Sequence, residues 1–285
     1  MAVMKIIRSS GQFRFGITVL TLLIVAALAH EWLISLLIGD TDPRQVGAYG
    51  ILESPSRNHW LGTDPYGRDW LAMNLLGLPS SLAVAGIAGI ISTLLGAIVG
   101  FYSGFAGGRT DAILRTMTDM LLVIPTLPLI LILGSYARGL SIVELALVLS
   151  AFSWPFAARV IRSQVLSLRE RPYVELSRMS DLRNRHIIVQ DILPNMLPYL
   201  GIGLATSSVG AAFALVGLTI IGLAPSGVLD LGTLLSLALE WGALSLGKWP
   251  LFFAPMTLLI LLFLGAAFIS QGLEEFYNPR LQGRR

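Results

Sequence analysis

Long apolar runs alternate with short polar segments along this chain. A membrane-spanning helix needs roughly 20 mainly apolar residues to cross a hydrocarbon core of about 30 Å. Six stretches of the sequence approach or exceed that length, so the pattern predicts an all-α membrane protein with six transmembrane helices. The predicted spans are residues 17–38, 82–102, 120–136, 142–161, 196–223 and 250–269.

The third predicted span is the shortest and contains Pro125 and Pro128. Proline removes a helical hydrogen bond, but a membrane helix tolerates it when neighbouring groups pair with the freed carbonyls. Residues 120–136 are therefore still predicted to be a transmembrane span. Its mainly apolar side chains offer no metal ligands.

Composition supports the membrane class. Of the 285 residues, 54% are apolar and 13% are charged, whereas soluble domains carry about 25% charged residues. The chain contains no cysteine, which excludes disulfides, thiolate-bound metals and a thiol nucleophile. The three histidines are too scattered along the sequence to indicate a metal site.

Basic residues predict the orientation in the membrane. Fifteen of the 20 Lys and Arg residues fall on one side of the predicted spans, and the positive-inside rule makes that side cytoplasmic. Both termini are then cytoplasmic, and residues 59–70 lie outside. Because the arginines flank membrane segments, we expect a lipid bilayer and no nucleic acid as the partner of this charge.

The N-terminus has one alternative interpretation. Basic residues followed by an apolar stretch ending at Ala29 resemble a cleavable signal peptide. The apolar run continues to Ile38, which is longer than the hydrophobic region of a typical signal peptide. The first transmembrane helix is the favoured interpretation.

Catalytic patterns are weak. The segment Gly242–Lys248 satisfies G-x-x-x-x-G-K, but Trp249 replaces the Ser or Thr that would bind magnesium, and the predicted position is extracytoplasmic. We expect Asp111 and Asp119 to form interfacial pairs, with Arg159 and Arg162 as anchors. The spans contain few ionisable groups, so energy for any transport must come from outside this chain.

A stripe of small residues marks the second span. Gly96, Gly100 and Gly104 form overlapping G-x-x-x-G steps, a pattern that allows close helix packing. The packing partner is a helix of this chain or of another subunit, and periodicity leaves both open.

The segment 162–195 is the only substantial predicted cytoplasmic loop. Pro172 suits the first position of a helix, which we expect to break near Ser180 and Asp181. Either residue can cap a second helix that starts at Leu182 and stops at Pro194. Such an elbow suits docking to a soluble partner, and a basic loop resting on anionic lipid is the alternative.

Three motifs carry a family resemblance that spans nearly the whole chain. Residues 173–175 read Tyr-Val-Glu and residues 192–195 read Ile-Leu-Pro-Asn, at the spacing of the EAA loop in permeases of ABC importers. The segment "LGTDPYGRD", residues 61–69, resembles a signature of the C-type permease of dipeptide, oligopeptide and nickel importers. Residues 278–281, Asn-Pro-Arg-Leu, are close to the D-P-R-L that ends those permeases.

The resemblance implies a type I ABC importer permease fold with two functional segments. The ATPase-coupling loop would comprise Tyr173, Val174, Glu175, Leu176, Ser177, Arg178, Asp181, Leu193, Pro194 and Asn195. The extracytoplasmic motif would comprise Leu61, Gly62, Thr63, Asp64, Gly67, Arg68 and Asp69. For this motif we favour a structural role over substrate contact, with its acidic and basic side chains holding a compact turn.

The sequence departs from the EAA pattern at three positions. Leu176 and Ser177 replace two alanines, and Asp181 replaces a glycine. Asp adopts the left-handed backbone less readily than Gly but better than most residues. We expect the elbow to keep its shape. The departures then imply either a partner ATPase with a compensating groove or a weakened or specialised coupling.

The resemblance also implies partners and location. These are a sister permease, two ATPase subunits that hold ATP and magnesium, and an extracytoplasmic substrate-binding protein, in a bacterial or archaeal plasma membrane. The chain itself would hold no cofactor and would not be an enzyme. A peptide is the favoured cargo, with an oligosaccharide, a metal chelate or a non-transporting scaffold as alternatives.

The expected domain organisation has three parts. Residues 1–39 form a cytoplasmic tail and the first transmembrane helix, and residues 40–81 form the extracytoplasmic loop. Residues 82–285 form the core permease domain, including the coupling loop at 162–195.

Overall fold

The computed structural model describes residues 10–124, 132, 140–180, 183–223 and 228–277. Within these ranges the chain is almost entirely helical. The α-helices are α1 (Gly11–Leu28), α2 (His30–Ile38), α3 (Trp70–Ala106), α4 (Gly108–Val123), α5 (Ile142–Arg169), α6 (Pro172–Met179), α7 (Leu193–Ile220), α8 (Leu231–Glu240) and α9 (Trp249–Tyr277). A short turn, Asn184–His186, and a π-helix, Ile187–Ile192, lead into α7.

Five described helical segments are long and apolar enough to cross a membrane. They contain the predicted spans at residues 82–102, 142–161 and 250–269 and overlap those at 17–38 and 196–223, which confirms the all-α membrane class. The third predicted span begins in α4, and most of its remainder lies outside the described residues. The C-terminal motif at residues 278–281 also lies outside them.

The first predicted span is two helices rather than one. Helix α1 ends at Leu28 and α2 begins at His30, with Ala29 between them. The Nδ1 atom of His30 lies 2.8 Å from the carbonyl oxygen of Ala27, which provides a local partner for a polar ring at the break.

Helix α3 is longer than its predicted span and begins at Trp70 rather than at residue 82. Asp69 is its N-cap, and the Oδ1 atom of this residue accepts a hydrogen bond of 2.8 Å from the N–H of Ala72. Capping of this kind satisfies an N–H group that has no partner within the helix. The loop that contains residues 61–69 therefore passes directly into a 37-residue helix.

The glycine stripe of α3 packs against α5 of the same chain. A Cβ atom on Gly96 would lie 2.6 Å from the Cβ of Ala157, and one on Gly100 would lie 2.7 Å from the carbonyl oxygen of Ala158. These distances are too short for real side chains, so only glycine allows the two helices to approach this closely. The partner that periodicity left open is thus intramolecular.

Helices α1 and α9 also pack through glycine, in antiparallel orientation. A Cβ atom on Gly16 would lie 2.6 Å from the carbonyl oxygen of Gly265. At the other end of this contact, the hydroxyl of Ser10 donates a hydrogen bond of 3.0 Å to Oε2 of Glu275. The beginning and the end of the described chain therefore lie side by side.

The segment before α7 differs from the predicted second helix of the elbow. The helical turn begins at Asn184 with Arg183 as its N-cap, not at Leu182, and the Ser180 hydroxyl donates to the Leu176 carbonyl at the end of α6. Asp181 lies outside the described residues.

Pro194 does not stop this helix, contrary to the prediction. The backbone passes through the π-helix into α7, and the N–H of Leu193 donates to the carbonyl of Ile188, five residues earlier. A π turn is wider than an α turn. The wider turn relieves the clash that a proline ring normally makes with the carbonyl four residues before it.

Helix α8 was not predicted. It begins after Asp230, whose Oδ1 accepts hydrogen bonds from the N–H groups of Gly232 and Thr233. The N–H of Leu231 donates to Oγ of Ser81 in α3 at 2.9 Å. Burial raises the pKa of the Asp230 carboxyl. Leu231 and Leu234 are fully buried, so this short helix forms part of the main core.

Candidate functional site

The outer motif is organised around the carboxylate of Asp64, which is fully buried. Its Oδ1 accepts hydrogen bonds from the backbone N–H groups of Tyr66 and Arg68, at 2.8 and 3.0 Å. Its Oδ2 lies 2.7 Å from Nε and 2.6 Å from Nη2 of Arg68. A buried carboxylate with these four donors fixes the turn from residue 64 to residue 68.

Two glycines give the motif its close backbone contacts. Gly62 and Gly67 adopt φ angles of +77° and +68°, a region that side-chain-bearing residues rarely enter. A Cβ on Gly62 would collide with the carbonyl of Glu53, and a Cβ on Gly67 with the carbonyl of Tyr49. The motif is therefore pressed against residues 49–53 of the preceding loop.

Thr63 joins these two parts of the loop through its side chain. Its hydroxyl donates to the carbonyl of Gly50 at 2.6 Å and accepts from the N–H of Glu53 at 2.8 Å. Leu61 packs against the main hydrophobic core. The motif thus connects the outer loop to the helical bundle.

Asp69 links the motif to α3 and to His59. While its Oδ1 caps the helix, its Oδ2 lies 2.8 Å from Nδ1 of His59. The imidazole of His59 also stacks on the ring of Tyr49, with 4.4 Å between the ring centroids. All seven residues of the predicted outer motif thus lie in one compact unit, and the predicted hydrogen bonds of Asp64, Arg68 and Asp69 are present.

The sequence did not identify two partners of this unit. His59 lies 10 residues before Asp69 in the same polar segment. That short separation along the chain could have indicated that the two side chains pair. Trp241 carries no such signal, because it lies far along the chain after α8. Its ring contacts those of Tyr66 and Trp70, each at a centroid distance of 5.8 Å.

The segment Gly242–Lys248, which matches a phosphate-binding motif only in part, lies beside the outer loop. The ammonium of Lys248 donates a hydrogen bond of 3.1 Å to Oγ of Ser54. The lysine of this segment therefore bonds within the chain to the loop that precedes the outer motif.

The elbow is attached to the bundle by Val174, which is fully buried. It packs in a cluster with Ile187 and Ile192, together with Ile161 and Val165 of α5. The two halves of the predicted coupling motif also meet directly, because Nδ2 of Asn195 donates to the hydroxyl of Tyr173 at 3.4 Å. The structure thus brings residues 173–175 and 193–195 together.

The opposite side of the elbow is exposed. Leu176 is 66% exposed and Met179 is 77% exposed, and Glu175 and Pro194 are exposed as well. The Ser177 hydroxyl donates to the Tyr173 carbonyl, and Leu193 is half-buried. Arg178 lies in α6, but its side chain is not among those described.

Two ion pairs join helix α4 to helix α5. Asp111 accepts from Nε and Nη2 of Arg162 at 2.5 and 2.6 Å, and also from the hydroxyl of Ser103. Asp119 pairs with Nη2 of Arg159 at 2.6 Å. The predicted pairing of both carboxylates with basic residues is therefore present.

The electrostatics of the Asp111 pair follow from its geometry. The hydrogen bonds from Arg162 lower the pKa of Asp111 from 3.8 to about 2, against the opposing effect of burial. A two-pronged contact between a guanidinium and a carboxylate is geometrically specific. Helix α5 leads through Glu170 and Arg171 into α6, so the Arg162 side of this pair and the elbow belong to one continuous segment of chain.

A bundle of long apolar helices with an exposed elbow at residues 172–195 and a compact loop at residues 49–69 is the architecture of a membrane transport component. The family described as binding-protein-dependent transport system inner membrane component matches residues 70–283. The chain belongs to this family, and it is an ABC importer permease of the oligopeptide type. It is therefore a multi-pass membrane protein and not an enzyme, and permeases of this family bind no cofactor themselves.

Named relatives match over most of their length. The chain is 33% identical over 274 residues to the oligopeptide transport system permease protein OppC of Mycobacterium tuberculosis, covering 95% of this chain and 91% of the relative. It is 31% identical over 270 residues to a putative peptide permease protein of Brucella suis, covering 94% and 87%. It is 31% identical over 230 residues to OppC of Bacillus subtilis, covering 80% and 74%.

Proposed function

We propose that this chain forms half of the translocation pathway of an ATP-driven importer for di- or oligopeptides. The relatives described above carry peptide or oligopeptide in their names, which supports this cargo over an oligosaccharide or a metal chelate. The other half of the pathway is a sister permease. An extracytoplasmic binding protein delivers the peptide.

The elbow is the coupling element, and its division into a buried and an exposed side carries this proposal. Val174 is fully buried in a cluster that includes side chains of α5, while Leu176 and Met179 of the same short helix are largely exposed. Exposed apolar side chains beside an exposed Glu175 suit a docking surface with an apolar centre and a charged edge. One of two ATPase subunits, which bind ATP and magnesium, docks here.

Force then passes from the elbow to the bundle by packing. Movement of α6 pushes on Ile161 and Val165 through Val174, and the ion pair between Asp111 and Arg162 carries the displacement from α5 to α4. ATP-driven closure of the ATPases thereby alternates access to the pathway. Leu176, Ser177 and Asp181 differ from the usual EAA residues, and a docking groove with complementary differences would accommodate them.

Both termini are cytoplasmic in this proposal. The excess of Lys and Arg on that side supports the orientation. The contact between Ser10 and Glu275 supports the placement of both chain ends on one side of the bundle, without indicating which side. The outer motif at residues 61–69 has a structural role at the extracytoplasmic mouth. The three-part division at residues 39 and 81 follows from this topology, with α3 extending into the outer loop.

Gentle-detergent purification of this chain from its native membrane, followed by mass spectrometry, tests the proposal. We expect a sister permease and ATPase chains to be retained, together with a peptide-loaded binding protein. Recovery of the sister permease without an ATPase, even with additives that trap ATP, would contradict the coupling role. Uptake of a labelled oligopeptide, compared with a labelled oligosaccharide in the same cells, tests the cargo separately.

A further inference from the structure

A cleft of about 330 Å³ lies between the C-terminal halves of α3 and α5 and the middle of α4. Three guanidinium groups and one carboxylate line it, with two hydroxyl-bearing side chains beside them: Arg115, Arg159, Arg162, Asp119, Ser103 and Thr118. Small-molecule sites range from about 300 to 1,000 Å³. The cleft therefore has room for a small charged group.

The charges around the cleft do not balance. Arg162 is paired with Asp111, and Arg159 with Asp119, at distances of 2.5 to 2.6 Å. Arg115 makes a longer contact, 3.5 Å from its Nε to Oδ2 of Asp119. Among the described residues around the cleft, three cations thus share two carboxylates. Because each guanidinium has five N–H donors, donors of Arg115 remain for an added anion.

The surroundings of the cleft are apolar and exposed. Val99 lines the cleft, and on the same part of α3 Ile98 is 67% exposed and Tyr102 is 62% exposed. On α5, Phe156 is 53% exposed and precedes Arg159 by one helical turn. A site that combines guanidinium groups with adjacent exposed apolar side chains matches a molecule with an anionic head and hydrocarbon chains.

The position in the membrane agrees with that chemistry. In the proposed orientation, Arg159 and Arg162 lie where α5 leaves the hydrocarbon core towards the cytoplasm. Basic pockets between transmembrane helices on this side are suited to the headgroups of anionic lipids. We propose that the cleft binds the phosphate diester of an anionic lipid from the inner leaflet, with Arg115 and Arg159 as its principal ligands.

This site goes beyond peptide transport, and its test reads bound lipid rather than uptake. The complete transporter is placed in nanodiscs of phosphatidylcholine mixed with phosphatidylglycerol, extracted again with mild detergent, and examined by native mass spectrometry. We expect phosphatidylglycerol to be retained in preference to phosphatidylcholine. Equal retention of the two lipids would overturn the proposal, whatever the transport assay shows.

Matched variants assign the retained lipid to the cleft. Arg115→Gln removes the arginine whose ion pair at the cleft is the longest, and because its side chain is 64% exposed we expect the variant to fold. Arg109→Gln makes the same change at an exposed position on the same helix, outside the residues that line the cleft. We expect about fivefold less retained phosphatidylglycerol for Arg115→Gln, and no change for Arg109→Gln. Equal retention by Arg115→Gln and the unmodified chain would refute the assignment.

A second arm separates lipid from soluble phosphate. Labelled inorganic phosphate is added to the transporter in nanodiscs of phosphatidylcholine alone, and bound label is measured by equilibrium dialysis. We expect no binding that depends on Arg115. If phosphate binds and Arg115→Gln abolishes that binding, the cleft is a site for a soluble phosphate group and the lipid assignment is wrong.

Discussion

Arg68 holds the fully buried carboxylate of Asp64 through two nitrogens, which lie 2.7 and 2.6 Å from the same oxygen. Replacing Arg68 with Ala leaves that carboxylate buried without a cation, a change that costs about 3–5 kcal/mol. We expect the Arg68→Ala permease to be less abundant in the membrane. Immunoblotting of membrane fractions measures this abundance.

Arg57→Ala is the matched control, because Arg57 is exposed on the same outer loop. We expect its abundance to equal that of the unmodified chain. The structural role of the motif would be contradicted if Arg68→Ala were present at normal abundance but changed the preference for cargo.

The turn at Gly67 permits a second, sharper comparison. Gly67 and Gly242 both adopt positive φ angles, +68° and +61°, but of the two only Gly67 has a position where a Cβ would meet another residue, the carbonyl of Tyr49. Alanine at either position costs roughly 1–2 kcal/mol for the left-handed backbone. We expect Gly67→Ala to lower the melting temperature of the purified transporter more than Gly242→Ala. Equal shifts would mean that the contact with Tyr49 is unimportant.

The packing of α3 on α5 predicts opposite effects for two glycines of one helix. A Cβ on Gly96 would lie 2.6 Å from that of Ala157, whereas a Cβ on Gly86 would meet nothing within 4 Å. Gly96→Ala therefore overpacks the helix contact, at a cost of about 1–3 kcal/mol. Gly86→Ala should be neutral or stabilising, because alanine favours helices by about 1 kcal/mol over glycine. Thermal unfolding of both variants tests this difference, and similar melting temperatures would contradict it.

Some of these structural features could be predicted from the sequence, and others could not. Apolar run lengths predicted the membrane-spanning helices, and residue spacing identified the glycine stripe. The stripe's partner was not predictable, because periodicity defines a face and not the helix that covers it. The ion pair of Asp111 with Arg162 joins residues 51 positions apart, a separation at which spacing carries no information.

The unpredicted elements have similar causes. Helix α8 has only 10 residues, too few to be recognised as a span, and its position depends on the bond from Leu231 to Ser81, 150 residues earlier. Pro194 normally predicts a helix end. It lies within continuous helix here because Ile187 and Ile192 are buried against α5 and the intervening backbone is π-helical. Tertiary contacts therefore determine both the position of α8 and the continuity of the helix at Pro194.

The ion pair of Asp111 predicts a pH dependence. Its folded pKa of about 2 lies below the ordinary 3.8, so its stabilising effect is complete above pH 3.8 and is lost as the pH falls towards 2. We expect Asp111→Asn to be less stable than the unmodified chain at neutral pH, with the difference shrinking between these two pH values. Melting temperatures of the transporter across this range measure it. Asp40→Asn, at an exposed position, should show no such trend, and a constant difference for Asp111→Asn would contradict the assignment.

Charge reversal at Glu175 tests the coupling role most directly. Glu175 is exposed on α6, so the fold does not depend on its side chain and the Glu175→Arg permease should reach the membrane at normal abundance. At a docked surface, placing like charges together costs several kcal/mol. We therefore expect peptide uptake to fall by at least about tenfold while the ATPases continue to hydrolyse ATP. Parallel assays of uptake and ATP hydrolysis in reconstituted vesicles measure both quantities.

The control for Glu175→Arg reverses a charge on the opposite side of the membrane. Glu240 is exposed at the end of α8, which lies extracytoplasmically in the proposed orientation, so Glu240→Arg should leave coupling intact. Loss of uptake in Glu175→Arg alone, with ATP hydrolysis maintained, places the defect between the ATPase and the pathway. Normal uptake by Glu175→Arg would contradict a role for the Glu175 charge in coupling. Coupling between the ATPase and the pathway would then depend on the apolar contacts of Leu176 and Met179.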